Sequence, residues 1–186
     1  MRCAVFLANG FEESEAVVPA DLLRRGGMDV DLLSMEKETV VEASHGMKIV
    51  CDHLFSLVDP DSYDVFVVPG GKKGTAALHN NEVFKEALAR HYMAGKLTCM
   101  ICAAPSILGE MGYLKGKHFT CYPDFYKDFF GGTYEEVSAI RDGNLVTGKG
   151  MGASCDFGLT ILRALLPEDA VKEIEEGIQY GYPVMK

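Results

Sequence analysis

Short apolar runs alternate with amphipathic segments along this chain. Buried strands are predicted at residues 3–7, 29–34, 63–68 and 97–101, because each is a short run of mostly apolar residues. Segments with helical spacing of apolar residues separate and follow these strands. Strands that alternate with helices are the pattern of a parallel sheet with right-handed crossovers, so we expect an α/β sandwich.

The remaining elements are predicted from spacing and from turn residues. The predicted helices are 12–25, 81–94, 123–130, 154–165 and 167–179, with a further helix that begins near Pro105. Antiparallel hairpins are expected at 39–51 and at 137–147, and a short strand is expected at 117–121. We expect a flexible loop at 148–152, because three of its five residues are glycines.

The segment 96–108 joins a buried strand to a helix at a cysteine. Cys102 ends the apolar run, and Pro105 stands where a first helical turn accepts proline. A nucleophile on such an elbow points out of the sheet. The helix amides beneath it favour an anion, lower a thiol pKa and can hold an oxyanion. A small core cysteine is the alternative that this segment alone leaves open.

Three predicted loops are expected to meet at the carboxyl ends of the strands. They cover residues 8–15, 69–74 and 102–105, and they carry a carboxylate, a diglycine and a thiol. Ligand sites of α/β sheets lie at this edge, and glycines let the backbone approach a ligand or another loop closely. Their convergence favours a functional role for Cys102 over the core alternative.

Composition narrows the class of protein. A chain of 186 residues is the length of one domain with its own core, so we expect a single domain over 1–186. The net charge of −9 gives no signal for nucleic acid or anionic membranes, and no window is apolar enough for a membrane span. The N-terminus leads directly into a strand instead of a signal peptide.

The six cysteines are expected to be reduced thiols of a cytoplasmic protein, because several lie in or beside apolar strands. Cys99 and Cys102 have the spacing of a CxxC motif. Because they span a predicted strand, their side chains point to opposite faces, which argues against a zinc site and a redox pair. We expect neither a metal nor a cofactor.

Five segments of the chain resemble the ThiJ/PfpI family, the DJ-one superfamily. They are residues 7–15, 19–27, 63–71, 101–105 and 150–152. They occur in the family's order and span nearly the whole chain, and they look closest to the branch named for the Parkinson-associated member and its bacterial relatives. The resemblance implies a flavodoxin-like three-layer sandwich with a mostly parallel sheet and a nucleophile elbow, a homodimer, and a reactive cysteine.

The family's functional positions can be carried over by motif. Its elbow nucleophile matches Cys102, and the glutamate that hydrogen-bonds the nucleophile's sulfur matches Glu15. Its oxyanion hole, made of backbone amides, matches Gly71 and Ala103. A buried glutamate beside the thiol would have a raised pKa, and its neutral carboxyl group would donate to a thiolate. The family's arginine that approaches from the partner subunit falls at His45, so that contact is not assured.

Further pocket candidates follow from the same resemblance. The family's nearby histidine falls at Tyr122, and tyrosine, with its ordinary pKa near 10, is a poor general base at neutral pH. Cys121 is either a resolving thiol or a packed strand cysteine, and Asp21 either lines the pocket or is a solvated helix acid. Gly70 belongs to the diglycine. Base catalysis would then fall to Glu15.

Three functions are compatible with this set of residues. The first is an enzyme of the glutathione-independent glyoxalase or deglycase type, in which Cys102 attacks a small aldehyde or dicarbonyl such as methylglyoxal, or its adduct with an amine. The second is a redox sensor or stress-protective chaperone, in which oxidation of Cys102 is the functional event. The third is a protease or amidase, which the missing histidine disfavours.

Overall fold

The structure is a computed structural model, and it describes residues 1–182. In chain order the strands are Arg2–Leu7 (β1), Asp29–Ser34 (β2), Val40–Glu42 (β3), Lys48–Val50 (β4), His53–Leu54 (β5), Val65–Val68 (β6), Leu97–Ile101 (β7), His118–Phe119 (β8), Thr133–Tyr134 (β9), Ala139–Asp142 (β10) and Leu145–Gly148 (β11). The helices are Glu13–Arg25 (α1), Lys72–His79 (α2), Glu82–Met93 (α3), Pro105–Glu110 (α4), Ser154–Leu165 (α5) and Glu168–Gly177 (α6).

A seven-stranded sheet forms the centre of the fold. Its spatial order is β10-β11-β7-β6-β1-β2-β5, and every neighbouring pair is parallel except β10 with β11. Strands β1, β6 and β7 are buried on both faces, which is why they appear in the sequence as almost continuous apolar runs. The expected α/β sandwich with a mostly parallel sheet is confirmed.

Each face of the sheet has its own apolar core. Alternate residues of the strands pack with α1, α5 and α6 on one face, and the intervening residues pack with α2, α3 and α4 on the other. Phe6 is an example, because its ring meets those of Phe66 and Phe84 edge-on, with ring centroids 4.7 and 5.1 Å away. The three layers hold the carboxyl ends of β1, β6 and β7 side by side, where the loops that follow them meet.

Two predictions of local structure are wrong. Residues 123–130 form two separate 3-10 turns, Pro123–Phe125 and Asp128–Phe130, because Tyr126 and Lys127 between them are extended. The ring of Tyr126 packs against those of Phe119 and Tyr134, so tertiary packing prevails over the helical spacing. In addition, helix α2 begins within the segment expected to be a glycine-rich loop.

Both predicted hairpins are present. Strand β3 pairs with β4 as a separate antiparallel arm, and β10 pairs with β11 at the edge of the main sheet. The expected strand at 117–121 is limited to β8, which pairs with β9, and the expected loop at 148–152 contains a 3-10 turn over Met151–Ala153. Across residues 1–182, no helix combines the length and the apolar character needed to cross a membrane.

Candidate functional site

Cys102 lies directly after β7, in a backbone conformation that L-residues rarely adopt. Its φ is +62°, and the surrounding main chain fixes it from both sides. The Cys102 N–H donates to the Gly148 carbonyl oxygen at 2.9 Å, and the Tyr122 N–H donates to the Cys102 carbonyl oxygen at 2.8 Å. A left-handed residue costs about 1–3 kcal/mol and persists only where its surroundings over-determine it. The structure thus holds a strained elbow with a partly buried thiol.

Glu15 reaches the thiol from the first turn of α1. Its side chain is fully buried, and its Oε2 accepts a hydrogen bond from the Gly70 N–H at 2.8 Å. The Cys102 side chain lies beside the carboxyl group and lowers its pKa, and the second oxygen, Oε1, has no hydrogen-bond partner within residues 1–182. The structure therefore brings Glu15 and Cys102 together, and their shared catalytic role stays a prediction.

Gly70 is the point at which the glutamate and the cysteine come close to the backbone. A Cβ atom at this position would lie 2.7 Å from the Cys102 Cβ and 2.7 Å from Glu15 Oε2. No real side chain tolerates such distances. The absence of a side chain at Gly70 is what allows the carboxyl and the thiol to meet.

Two backbone amides lie near the Cys102 sulfur and lower the pKa of its thiol. They are the N–H groups of Gly71 and Ala103, the pair that the resemblance implies for an oxyanion hole. Gly71 is also the residue before α2, and its φ of +90° belongs to the region that favours glycine. A Cβ at Gly71 would lie 2.4 Å from the Gly10 carbonyl oxygen, so the loop after β6 is fitted closely to the loop after β1.

Gly71→Ala is expected to lower the free energy of unfolding by about 3 kcal/mol, through the positive φ and the clash with Gly10. Urea denaturation followed by circular dichroism measures this. Gly27→Ala is the matched control, because Gly27 has a φ of +78° but open space around its Cβ position. Equal losses in the two variants would contradict a close fit at Gly71.

Burial dominates the electrostatics of the pair. It raises the pKa of Glu15 to about 7, against the hydrogen bonds from Gly70 and Cys102, which lower it. Burial also raises the pKa of Cys102 to about 12, together with the nearby charge of Glu15, while the amides of Gly71 and Ala103 lower it. The expectation of a thiol with a net lowered pKa is therefore wrong, because desolvation and the adjacent carboxylate outweigh the two amides.

The two groups consequently share one proton over a wide pH range. The pair loses its first proton near pH 7, and the pKa of its second ionisation is about 12. Because the pKa of Glu15 is the lower of the two, the first proton leaves the carboxyl group, and the charge of the singly ionised pair lies mainly on Glu15. The amides of Gly71 and Ala103 favour a charge on the sulfur, which forms when the thiol gives its proton to the Glu15 carboxylate.

The residues at the histidine position and beside it lie apart from this centre. The ring of Tyr122 is 46% exposed and lines an apolar groove with Met151, whereas its backbone amide holds the elbow. Cys121 is fully buried in the core that faces α2, α3 and α4, and burial raises its pKa to about 12. The structure therefore places Cys121 as a packed core cysteine, just beyond β8 and outside any strand, and not as an accessible resolving thiol.

Asp21 and His45 lie at the periphery. Asp21 forms an exposed ion pair with Arg25 at 2.7 Å and lines a cavity beside Cys155, whose lining does not include Cys102. The backbone N–H of His45 donates to Glu13, and its ring Nδ1 lies 3.0 Å from the Glu13 carboxylate. This contact raises the pKa of His45. His45 therefore secures the β3–β4 arm to the start of α1.

Within residues 1–182, one group of side chains has ligand atoms close enough together to bind a cation. The ligand atoms of Glu12, Glu13 and His45 lie within 4.8 Å of one another. The imidazole and the Glu13 carboxylate already bond to each other, so the group is accounted for as an ion pair.

The sequence reasoning missed the groups that fix the elbow itself. The Gly148 carbonyl and the Tyr122 amide anchor Cys102 through their main chains, and main-chain groups leave no signal in residue identity. It also missed Lys72 and the rest of α2, whose first residues resemble a loop.

Comparisons with known proteins find relatives in sequence and in fold. The sequence profile described as the DJ-1/PfpI family matches residues 1–164. Protein dj-1beta of Drosophila melanogaster is 33% identical over 180 residues, which cover 96% of each chain. The crystal structure of a cysteine-to-alanine variant of DJ-1 superfamily protein STM1931 from Salmonella typhimurium superposes with a TM-score of 0.91 at 39% identity, covering 97% of this chain and 99% of the other.

Two further relatives differ in how much of their own length this chain covers. Oxidized Toxoplasma gondii DJ-1 has a TM-score of 0.90 and 30% identity, over 97% of this chain and 99% of the other. Protein DJ-1 homolog B of Arabidopsis thaliana is 36% identical over 170 residues, which are 90% of this chain. That match covers 39% of the Arabidopsis protein, so this chain corresponds to less than half of that relative's length.

Proposed function

The chain belongs to the DJ-1/PfpI family, and we propose that this DJ-1-type protein is a stress-protective enzyme of the glutathione-independent glyoxalase type. It would convert small 2-oxoaldehydes such as methylglyoxal into 2-hydroxy acids. The observation that carries the proposal is the buried contact between Glu15 and Cys102, because it pairs a nucleophile with a carboxyl group whose pKa is about 7.

The chemistry begins with the singly ionised pair, in which the Glu15 carboxylate takes the proton of the Cys102 thiol. The Cys102 thiolate adds to the aldehyde carbon of methylglyoxal, and the carbonyl π electrons move to the oxygen. The amides of Gly71 and Ala103 lie where they can stabilise this oxyanion, because both already lie near the sulfur. The neutral Glu15 carboxyl then gives its proton to the oxyanion, which yields a hemithioacetal and a Glu15 carboxylate.

Glu15 next acts as the base. Its carboxylate removes the hydrogen from the carbon bonded to sulfur as a proton, which leaves an enediolate, and returns that proton to the adjacent carbon. The hydroxyl proton of the first carbon moves to the oxygen of the second, so the first carbon is oxidised and the second is reduced. The product is a thioester of the 2-hydroxy acid. Water hydrolyses the thioester, which releases lactate and restores the thiol. The net reaction adds one water and needs no external oxidant, reductant or cofactor.

The same nucleophilic attack by Cys102 would also serve a deglycase activity, which is the alternative enzymatic proposal. An early adduct of a dicarbonyl with an amine contains a carbon at the aldehyde oxidation level that Cys102 could attack, with the amine as the leaving group. The direct test of the proposal is lactate formation from methylglyoxal by the purified protein without glutathione. Absence of lactate, with dicarbonyl loss no faster than in a buffer control, would refute it.

Oxidation of Cys102 is the second candidate function. Two amides and a carboxyl group around the sulfur are donors that would equally hold the oxygens of a sulfinate. Intact-mass analysis after mild peroxide treatment, with peptide mapping, tests this role. Addition of the first oxygens at Cys155, the exposed cysteine, would remove its basis. A protease or amidase would need a general base at the family's histidine position. Tyr122 occupies that position here, and its ring lines a groove whose lining does not include Cys102.

We further propose that the protein is cytoplasmic and forms a homodimer. All six cysteines are free thiols, which suits a reducing compartment. Met47 and Val50 on the β3–β4 arm are 60% and 70% exposed, and such apolar side chains suit a protein contact. Light scattering coupled to size-exclusion chromatography distinguishes a dimer from a monomer.

A further inference from the structure

A cavity of about 740 Å³ lies where the order of the strands changes direction across the sheet. Strand β2 pairs with β1 on one side and β6 pairs with β1 on the other, so the chain leaves β1 and β6 in opposite directions. Open α/β sheets bind small molecules in the crevice at such a point, in sites of roughly 300–1,000 Å³. The lining includes neither Cys102 nor Glu15, and the proposed reaction leaves this cavity unused.

Three segments form the walls of the cavity. The loop after β1 provides Asn9, and the start of α2, which follows β6, provides Lys72 and Lys73. The β3–β4 arm and the residues before it provide the third wall, with Glu38 and Glu42. The loops that leave both central strands therefore meet the arm around one space.

Hydrogen bonds to the main chain of Gly10 hold these walls together. The Gly10 N–H donates to the Glu42 carbonyl oxygen at 2.7 Å. The Gly10 carbonyl oxygen accepts from the Ser44 hydroxyl at 2.8 Å and from the Gly74 N–H of α2 at 3.2 Å. Gly10 also leaves room for Lys73, because a Cβ atom at Gly10 would lie 2.5 Å from the Lys73 Cβ. The cavity is therefore fixed by the main chain that joins its walls.

The charges of the lining favour an anionic group beside α2. The lining holds three lysines, two glutamates and no histidine, so it is net positive at neutral pH on a protein whose net charge is −9. Lys48 is paired with Glu42 at 3.9 Å. Within residues 1–182, Lys72 and Lys73 are exposed and form no salt bridge, and no acid of α2 lines the cavity. Two unpaired ammonium groups suit a phosphate group.

The other walls provide hydrogen-bonding groups. In the described part of the chain Glu38 forms no salt bridge, and a carboxylate accepts hydrogen bonds from hydroxyl groups. The Asn9 Oδ1 accepts from the Glu42 N–H at 2.8 Å, which leaves the Asn9 Nδ2 as a donor. An inorganic anion would use the lysines alone and would lie near two carboxylates. A molecule with hydroxyl groups as well as a phosphate uses all three walls.

We propose that this cavity binds a small phosphate monoester that carries hydroxyl groups. Lys72 and Lys73 bind the phosphate, Asn9 donates to the molecule, and Glu38 accepts from one of its hydroxyl groups. A free sugar phosphate and a mononucleotide share this chemistry. The site is independent of the proposed function, because the reacting pair lies outside its lining.

Calorimetric titration of the Cys102→Ser protein tests the proposal, because this variant excludes reaction of an aldose with the thiol. Ribose 5-phosphate, AMP, ribose and inorganic phosphate are compared at about 150 mM salt, where unspecific attraction is screened. Ribose 5-phosphate is expected to bind at least about tenfold more tightly than ribose or inorganic phosphate, because each of these lacks one part of the recognised chemistry. Tighter binding of AMP would identify a mononucleotide, and equal or weaker binding would identify a sugar phosphate. Equal affinities for inorganic phosphate and ribose 5-phosphate, or no binding of either ester, would overturn the proposal.

Lysine variants locate the binding on this cavity. Lys72→Met and Lys73→Met are each expected to weaken the binding of ribose 5-phosphate by about fivefold to tenfold. Lys115→Met is the matched control, because it removes the same charge at an exposed lysine outside the lining, and it should retain the affinity within a factor of about two. Circular dichroism verifies that each variant is folded. Equal weakening in Lys72→Met and Lys115→Met would show general attraction to the protein surface and would overturn the site.

Discussion

Cys102→Ser is expected to lower lactate formation from methylglyoxal by roughly a thousandfold or more. Serine keeps the size and the elbow geometry, but its hydroxyl does not ionise at neutral pH. The amides of Gly71 and Ala103 would then face a neutral oxygen, and no thioester could form. Initial rates of lactate production, with thermal melts to verify folding, measure the effect.

Cys155→Ser is the matched control for this variant. Cys155 is the exposed cysteine of the chain, it lies in the first turn of α5, and it lines a cavity whose lining does not include Cys102. Its replacement should leave the rate unchanged within a factor of about two. Equal rates for wild type and Cys102→Ser would exclude covalent catalysis at the elbow.

Glu15→Gln is expected to lower turnover by about 10²–10⁴, the usual contribution of a general acid–base group. Glutamine preserves the side-chain shape and can still accept from the Gly70 N–H, but it cannot carry a proton between adjacent carbons. The loss should fall on kcat more than on KM, because the proton transfer follows addition of the thiolate. A variant with wild-type kcat would remove Glu15 from the mechanism.

The pH profile of Glu15→Gln tests whether ionisation of the Glu15–Cys102 pair controls the rate. In the wild type, kcat/KM should rise with an apparent pKa near 7, where the Glu15–Cys102 pair loses its first proton. In Glu15→Gln that ionisation belongs to the thiol alone, so the midpoint should move above 7. An unchanged midpoint would show that a different group controls the wild-type profile.

Glu15→Gln should increase the stability of the protein at pH 8 although it lowers its activity. Because the folded-state pKa of Glu15 is raised, the stabilisation linked to its proton is complete below the unfolded-state pKa and is lost as the pH rises through about 7. Glutamine has no such titration. Glu15→Gln should therefore unfold at a higher temperature than the wild type at pH 8, and the difference should shrink at pH 5. A folded, more stable and inactive variant indicates that the buried carboxyl group is retained for chemistry.

Much of the architecture is encoded in short-range patterns. Strands β1, β6 and β7 are apolar runs because both of their faces are covered, and the α5 helix coincides with its predicted bounds of 154–165. Residues 123–130 show where such patterns fail. Their helical spacing is overridden by aromatic packing of Tyr126, which depends on strands distant in the sequence.

The proximity of the candidate site residues was predictable, but the pKa values of the pair were not. The resemblance of several motifs proposed Cys102, Glu15, Gly71 and Ala103, and the structure brings these four together, while their catalytic role stays a prediction. The pKa values of the pair depend on how deeply the fold buries both groups, and burial cannot be read from a motif.

Because main-chain groups anchor Cys102, the substrate specificity of such a protein can change without loss of the geometry at the elbow. Within residues 1–182, Glu15 is the side chain that shifts the Cys102 pKa, and the hydrogen-bonding groups around Cys102 are main-chain groups of Gly71, Ala103, Tyr122 and Gly148. Main-chain donors survive most substitutions at neighbouring positions. The side chains beyond them, such as those of Tyr122 and Met151, are therefore free to change with the substrate while the reactive centre is inherited intact.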